Sequence, residues 1–428
     1  MKKIFSFLLI SVSLNSYSQW FQLPNSPFTP GRFIDIYFIN INTGWTMTGS
    51  GAIFKTTNGG ISWDIMDSIT NSPSLRSITA LDESNIYIGT LNSQRVLFKS
   101  TNGGQSWKEV KNIPSPQPFG ICGLYNITGK YVFGCGTYYG GKDAMISHFL
   151  KSDDSGNTWT TKIMSDYAST LIDCYFINKD SGFAVGGIGR FPNLTKSVVL
   201  STSDGGETWI NRFTGPRLQE WCWKISFPNR NNGFISLERY LLSGSYFLKT
   251  SNGGNSWQDL SFPNVNEQGV GFINENTGWI GGAGNSTYGT TDGGLSWFNS
   301  NIGLNINRFR FFGDSVAYAS GQYILKYDNT VGVTQISSII PNDFKLYQNY
   351  PNPFNPSTVI KYEVSHGSNV LLKVYDSSGK EIATLVNARK GTGVYEIKMD
   401  GEKLSGGIYF YKLDTENFSE TKVMVLIK

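Results

Sequence analysis

Thr56-Thr57-Asn58-Gly59-Gly60-Ile61-Ser62-Trp63 is the first of six copies of one eight-residue box. The others are Ser100–Trp107, Ser152–Trp159, Thr202–Trp209, Thr250–Trp257 and Thr290–Trp297. All read Ser/Thr, any residue, Asp/Asn, Gly/Ser, Gly, any residue, Ser/Thr, Trp, and their tryptophans stand 44, 52, 50, 48 and 40 positions apart. Self-similarity at such a period marks a stacked or circular repeat architecture. Each box has the chemistry of a hairpin turn. The Asx side chain accepts backbone N–H groups, the glycines supply positive φ, and the hydroxyls at both ends tie the loop. The structural residues of the boxes are therefore Asn58, Trp63, Asn102, Trp107, Asp154, Trp159, Asp204, Trp209, Asn252, Trp257, Asp292 and Trp297. A Ca²⁺ loop would need several carboxylates and a closing bidentate Glu. Most copies have one Asx, and the most acidic, with Asp153 and Asp154, lacks the rest, so no metal is assigned.

Upstream of the boxes run further strand-like segments, such as Ile36-Tyr37-Phe38 leading through Asn42-Thr43-Gly44 to Trp45. Counting the strands before and after the box, each repeat holds four short antiparallel strands, the content of a propeller blade. Aligned repeats share one inner-strand slot, filled by Ile36, Ile78, Cys122, Cys174, Ile225, Val270 and Phe309. Seven slots mean seven blades, although the seventh box has decayed to Tyr327-Asp328-Asn329-Thr330 with no Trp. Trp20-Phe21-Gln22-Leu23-Pro24 resembles the strand that follows a box. The mature N-terminus is thus expected to supply the outer strand of the last blade and seal the ring. The fold class is all-β: a seven-bladed propeller over 19–332, a linker at 333–342, and a small immunoglobulin-like sandwich at 343–428.

Residues 1–18 read as a secretory signal, with Lys2-Lys3, a short apolar run and small residues before Gln19. No later segment is apolar enough to cross a membrane. The C-terminal segment carries Asn349-Tyr350-Pro351-Asn352-Pro353-Phe354-Asn355-Pro356, then Val374–Glu381, Leu404–Tyr411 and the terminal Lys422–Lys428. In that order these motifs closely resemble the C-terminal sorting domain of proteins exported by the type IX secretion system of Bacteroidota. The resemblance implies the secretion machinery as partner, and a mature protein that is extracellular or attached to the cell surface. The repeat region resembles the Asp-box (BNR-like) propellers, and its Asn-Thr-Gly-Trp cadence is similar to that of photosystem II assembly-factor propellers. Sialidases and tandem-propeller xyloglucan hydrolases share the box.

With 36 Lys+Arg against 32 Asp+Glu and no basic stripe, nucleic acid is excluded as a partner. His148 and His366 are the only histidines and lie in different domains, which argues against a multi-His zinc site or a Ser-His-Asp triad. No cofactor is implied. Cys122 and Cys174 fill core slots, and Cys122–Cys135 is the one disulfide pairing worth checking. The sialidase Arg-Ile-Pro signature is absent: Gly31-Arg32-Phe33-Ile34 lacks the Pro, and Arg190-Phe191-Pro192 falls in the wrong repeat. The polar residues flanking the slot, Asp35, Asp173, Lys224, Arg308 and Arg310, are expected to face the central channel and form the ligand face. Trp221 is the candidate surface aromatic, and the insertions after Gly136 and Gly187 are candidate recognition loops. The leading reading is a secreted, non-catalytic binding module for a protein or glycan. The alternative is a secreted glycoside hydrolase of the Asp-box group, using a carboxylate pair without His.

Overall fold

The structure is a computed structural model describing residues 20–428 apart from 24, 30, 71–73, 138–145, 191, 240–243, 264–265, 284–286, 301, 314–315, 329–333, 338–340, 391 and 403. The expected signal segment and most of the insertion after Gly136 lie outside the described residues. Seven four-stranded sheets form the propeller, and two more form the C-terminal sandwich. Blades 1 to 7 begin with the inner strands Phe33–Phe38, Leu75–Ala80, Gly123–Ile127, Thr170–Phe176, Glu220–Ser226, Asn266–Phe272 and Arg308–Phe312. All seven slot residues, from Ile36 to Phe309, are buried.

The last blade is closed by the first strand of the chain. Trp20, Phe21 and Gln22 pair antiparallel with Tyr327, Lys326 and Leu325. Trp20 takes the place of the Trp missing from the seventh box. Its ring meets Trp279 of blade 6 at 5.4 Å, Phe309 at 5.6 Å and Tyr327 at 5.5 Å.

Each box holds its turn through one repeated set of bonds. In the first, Thr56 Oγ1 accepts the N–H groups of Asn58 and Gly60 at 3.3 and 2.9 Å, and Asn58 Oδ1 accepts the Ser62 N–H at 2.9 Å. In the acidic copies the second carboxylate oxygen also accepts the terminal hydroxyl, as from Thr158 to Asp154 at 2.7 Å. The box is also a latch between blades. Its fourth residue offers a carbonyl to the preceding blade: Gly103 O accepts Trp45 Nε1 at 3.0 Å, Ser155 O accepts the Tyr87 hydroxyl at 2.8 Å, and Gly59 O accepts that of Tyr318 at 3.2 Å. Lys99 and Lys249, one per third strand, reach the same carbonyls of Ser155 and Gly293 at 3.3 and 2.7 Å. The fifth residue must be Gly: at φ +78° a Cβ on Gly156 would lie 1.9 Å from the Tyr87 hydroxyl. The Gly of the Asn-Thr-Gly-Trp turn lies under a ring, since a Cβ on Gly44 would come 2.4 Å from Phe38. Phe38 in turn stacks on Tyr318 of the preceding blade at 3.7 Å, as Phe176 does on Phe133 and Phe272 on Phe234.

The second unit is an eight-stranded sandwich. Thr334–Ser337, Gly393–Asp400, Ser357–Val364 and Lys345–Leu346 form one sheet; Glu381–Lys390, Ser368–Asp376, Gly407–Asp414 and Ser419–Leu426 form the other. Alternating residues such as Ile360, Tyr362, Leu372, Val374, Ile397 and Tyr411 fill its core. The stretch expected to be a linker thus contributes a strand, because Thr334 and Gln335 pair with Glu396 and Tyr395. The Pro/Asn run sits at the sheet edge. Buried Asn349 donates to Thr358 Oγ1 at 2.9 Å and to Pro351 O at 3.1 Å, its N–H bonds the Tyr411 hydroxyl, and Phe354 enters the core.

The four cysteines are free and buried, so Cys122 and Cys135 are not bridged. The Cys122 N–H instead donates to the Cys135 carbonyl at 2.8 Å across the blade-3 hairpin.

Trp20→Ala should destabilise the chain by about 3 kcal/mol, the low end for truncating a packed aromatic, with little change for Phe21→Ala, whose ring is 44% exposed. Denaturant titration of both variants checks this, and equal midpoints would show that the N-terminal strand does not seal the ring. The box carboxyls make a pH prediction. The Thr158 N–H and hydroxyl pull Asp154 down to about 2, and the Thr208 hydroxyl and N–H do the same for Asp204. Asp292 reaches about 2 against a burial penalty through the Ser296 hydroxyl and N–H. Carboxyls depressed in the folded state stabilise it above their usual value of 3.8, and that contribution is lost as pH falls toward about 2. The triple variant Asp154→Asn/Asp204→Asn/Asp292→Asn should fold normally at pH 7, as the natural Asn copies do, and show a shallower acid limb by tryptophan fluorescence. Superimposable limbs would refute this role.

Candidate functional site

The ring axis is built by a defect in the inner strands. Pairing with the second strand slips by one residue between Phe33 and Asp35, Leu75 and Ser77, Leu171 and Asp173, Cys222 and Ile225, and Glu267 and Val270. A bulge leaves one residue unpaired and re-aims its side chain. Consequently the residues one and two positions before the slot converge on the axis, and simple alternation fails there.

Arg308 of blade 7 organises this centre. Its Nη1 and Nη2 donate to Asp173 Oδ2 and Oδ1 at 2.8 and 3.0 Å, a bidentate pair reaching across the ring to blade 4. Its Nε donates to Asp35 Oδ1 of blade 1 at 3.1 Å. Each carboxylate also ties its neighbouring blade: Asp35 Oδ2 accepts the Ile78 N–H at 3.2 Å, and Asp173 Oδ2 accepts the Ile225 N–H at 3.3 Å. Burial pushes the Asp173 carboxyl up, but Arg308 and Lys224 carry it below its usual range. The two carboxylates hold Arg308 above its ordinary value despite its burial.

The sequence-predicted residues are therefore gathered, but not as an open ligand face. Asp35, Asp173 and Lys224 are each 1% exposed and Arg308 6%. Arg310 donates to Ile36 O at 3.0 Å and lies 5.1 Å over the Tyr37 ring. Trp221 is corrected from surface to interior. The approach to blade 5 is part of the inner strand Glu220–Ser226, and its bulge packs Trp221 with Trp223 and Ile172. Alignment alone did not select Arg76, Asn307 or Gln268, yet each stands two positions before a slot, as Trp223 does. Trp223 Nε1 donates to Asn307 Oδ1 at 3.0 Å, Asn307 bonds Ile34 O, and the Arg76 guanidinium stacks on Trp223 at 4.8 Å. Arg32, at the start of blade 1, bonds Gln268 of blade 6 past the intervening blade 7.

Further along blade 5, Arg217 clamps Glu220 (2.6 Å) and Asp259 (2.7 Å) while lying 3.5 Å over the Tyr246 ring. Glu220 and Glu267 are both fully buried, and burial pushes both carboxyls up.

A cavity of about 220 Å³ opens at the rim between blades 3 and 4. Lys130, Lys151, Lys179, Asp153, Asp180 and Asp204 line it together with Tyr131 and Gly205. The boxes of the two blades and the hairpin turns beside them supply these residues. Lys151 is paired with Glu207 at 2.9 Å and Lys179 with Asp180 at 2.8 Å, and the Lys130 amine lies 5.3 Å over the Tyr131 ring. The loop after Gly187 runs over 189–195, between the paired strand ends Ile188 and Lys196. Among the described residues there is no cluster of three or more His, Cys, Asp or Glu that could hold a metal, and no helix long and apolar enough to span a membrane.

Fold and centre together define a seven-bladed β-propeller joined to a small β-sandwich. Residues 348–428 match the family of secretion system C-terminal sorting domains, so the chain carries a type IX sorting tail that marks it for export across the outer membrane. No curated protein matches the chain. Solved structures share the propeller. YCF48 bound to D1 peptide is 16% identical at TM-score 0.51, over 73% of this chain and 96% of that one. YCF48 from Cyanidioschyzon merolae is 16% identical at TM-score 0.52, over 72% and 98%. Streptogramin B lyase is 13% identical at TM-score 0.52, over 72% and 97%. At these identities the likeness is one of fold.

Arg308→Ala should cost about 3–5 kcal/mol, because it strands two buried carboxylates. Arg308→Lys should recover only part of this, since an ammonium cannot make the bidentate pair and also reach Asp35. Urea titration ranks the three proteins, and a wild-type midpoint for Arg308→Ala would remove the pair from the account of stability.

Proposed function

We propose that the chain is an exported, non-catalytic binding module whose rigid ring presents its rim to a protein segment or a glycan outside the cell. The C-terminal domain delivers it, and the mature protein is either released or held at the cell surface. The state of the axial carboxylates carries this reading. Glycoside hydrolysis needs one carboxyl with a raised pKa and a second, both touching the sugar across about 5–9.5 Å. Asp35 and Asp173 are shut from solvent and committed to Arg308, and Asp173 is held acidic rather than raised. Glu220 and Glu267 have raised values but are enclosed in the blade 5–6 wall.

With the axis filled, recognition falls to the rim. The cavity between blades 3 and 4 suits a polar, hydrogen-bonding ligand, because it interleaves three amines with three carboxylates beside an aromatic ring. That a propeller of this fold is described with a bound peptide supports the protein-segment arm of the proposal. The test joins a glycan array and a proteome-derived peptide array to hydrolysis assays on sialosides and plant polysaccharides. We expect binding without sugar release, weakened at least tenfold by Lys130→Glu/Lys179→Glu. Sugar release abolished by a carboxylate substitution would replace the binding module with a hydrolase.

A further inference from the structure

The repeats supply their own control for the rim. Val132 pairs with Asn126 and Ser152 as Gly44 pairs with Phe38 and Thr56, so Lys130 and Tyr131 of blade 3 stand where blade 1 has Asn42 and Thr43. The same register puts Ser84 and Asn85 there in blade 2, Asp180 and Ser181 in blade 4, Asn231 and Asn232 in blade 5, and Asn276 and Thr277 in blade 6. Among these six blades, blade 3 alone sets an amine and an aromatic ring at the turn. The second position of the box holds Thr57, Thr101, Ser203, Ser251 and Thr291 in five copies, and Asp153 is the single acid. Neither change serves the turn itself, since the other blades close with small polar residues. Both changes fall on one cavity, the space of about 220 Å³ between blades 3 and 4.

The other charges around that cavity have partners. Lys151 meets Glu207, Lys179 meets Asp180, and Asp204 is tied into its box by Thr202 and Thr208. The two departures from the repeat add one exposed cation, Lys130, and one exposed anion, Asp153. The wall is therefore balanced in charge, with donors and acceptors interleaved around it. A ligand of net charge would meet like charge on half of that wall, and a zwitterion would use two of its groups. A sugar hydroxyl both donates and accepts. A ring with hydroxyls on every side can give hydrogen bonds to the carboxylates and take them from the amines around the whole wall. Tyr131, the one aromatic in the lining, offers a surface to its C–H edge. At about 220 Å³ the space is smaller than the roughly 300–1,000 Å³ of ordinary ligand pockets, which suits one sugar ring rather than an oligosaccharide.

The geometry points to the rim cavity between blades 3 and 4 as a binding site for one neutral hexopyranose unit of a glycan, held between Lys130 and Asp153. This rests on the reading of the rim as the recognition surface and chooses between its two ligand classes. Lys130 donates to the sugar oxygens, and Asp153 accepts from the hydroxyls beside them.

The experiment is a saturation-transfer NMR titration of the full chain with the methyl glycosides of glucose, galactose and mannose, beside those of glucuronic acid and glucosamine and a blocked Lys-Asp dipeptide. A neutral glycoside should bind best, with an affinity that changes by less than about twofold between roughly 0.05 and 0.5 M salt, because no net charge is exchanged. Lys130→Asn and Asp153→Ser restore residues that other blades carry at these positions, so both variants should melt with the wild type. Each should weaken the glycoside by roughly tenfold, the worth of one hydrogen bond to a charged group. Glu275→Gln, at the rim between blades 5 and 6, should leave binding unchanged. Preference for a charged glycoside or for the dipeptide, lost in the same two variants, would overturn the sugar and keep the rim as the recognition surface. Glycoside binding undiminished in both variants would overturn this site. Failure of every glycoside while the peptide array is positive would overturn the inference alone, and failure of both would remove the binding module with it.

Discussion

A ring of four-stranded blades is sealed only where the two ends of the chain meet in one blade. The pairing of Trp20–Gln22 with Leu325–Tyr327 meets that constraint, and the packing of every other blade presupposes it. Closing the circle brings Phe33 against Gly321 and Tyr318 against the first box, so the seam repeats the contacts found between other blades. It also fixes which blades oppose one another, and hence that Arg308 meets Asp173 across the axis.

The box serves two levels of structure at once. Inside a blade it is a tight turn that ties Ser/Thr, Asx and glycine together. Between blades it is an acceptor, because the carbonyl of its fourth residue points to the previous blade, where an indole, a phenol or a lysine donates. This double use accounts for the invariance of its pattern among six copies within one chain. An Asp box and an Asn box differ in charge but offer the same oxygen to the same N–H, which is why both occur.

The centre and the rim divide the labour. Inner-strand bulges direct charge inward, where it is paired and shut away, and this stiffens the hub. The rim keeps its lysines and aspartates in water, and there the ring can vary without disturbing its own closure. A tail of the sorting-domain family marks the chain that carries this ring for export across the outer membrane.

The repeat period, four strands to a unit, seven units and the N-terminal seal were all legible in the residues, because turn chemistry and alternation are local. So were the sorting motifs and the buried slots, down to Cys122 and Cys174. Five charged residues near the axis were legible as neighbours of the slot, although strand bulges rather than simple alternation turn Asp35, Asp173 and Lys224 inward. Their partners were not, since opposition across a ring depends on closure rather than on distance along the chain. Trp221 was misread for a related reason: its segment resembles a loop, and a bulge with a neighbouring blade behind it makes it interior. Arg76 stood in the same register as Trp223 but drew no notice without that neighbour. Local hydrogen bonding settled the shape of each blade from sequence alone, whereas only the closed tertiary ring decided which charges are paired and which are buried.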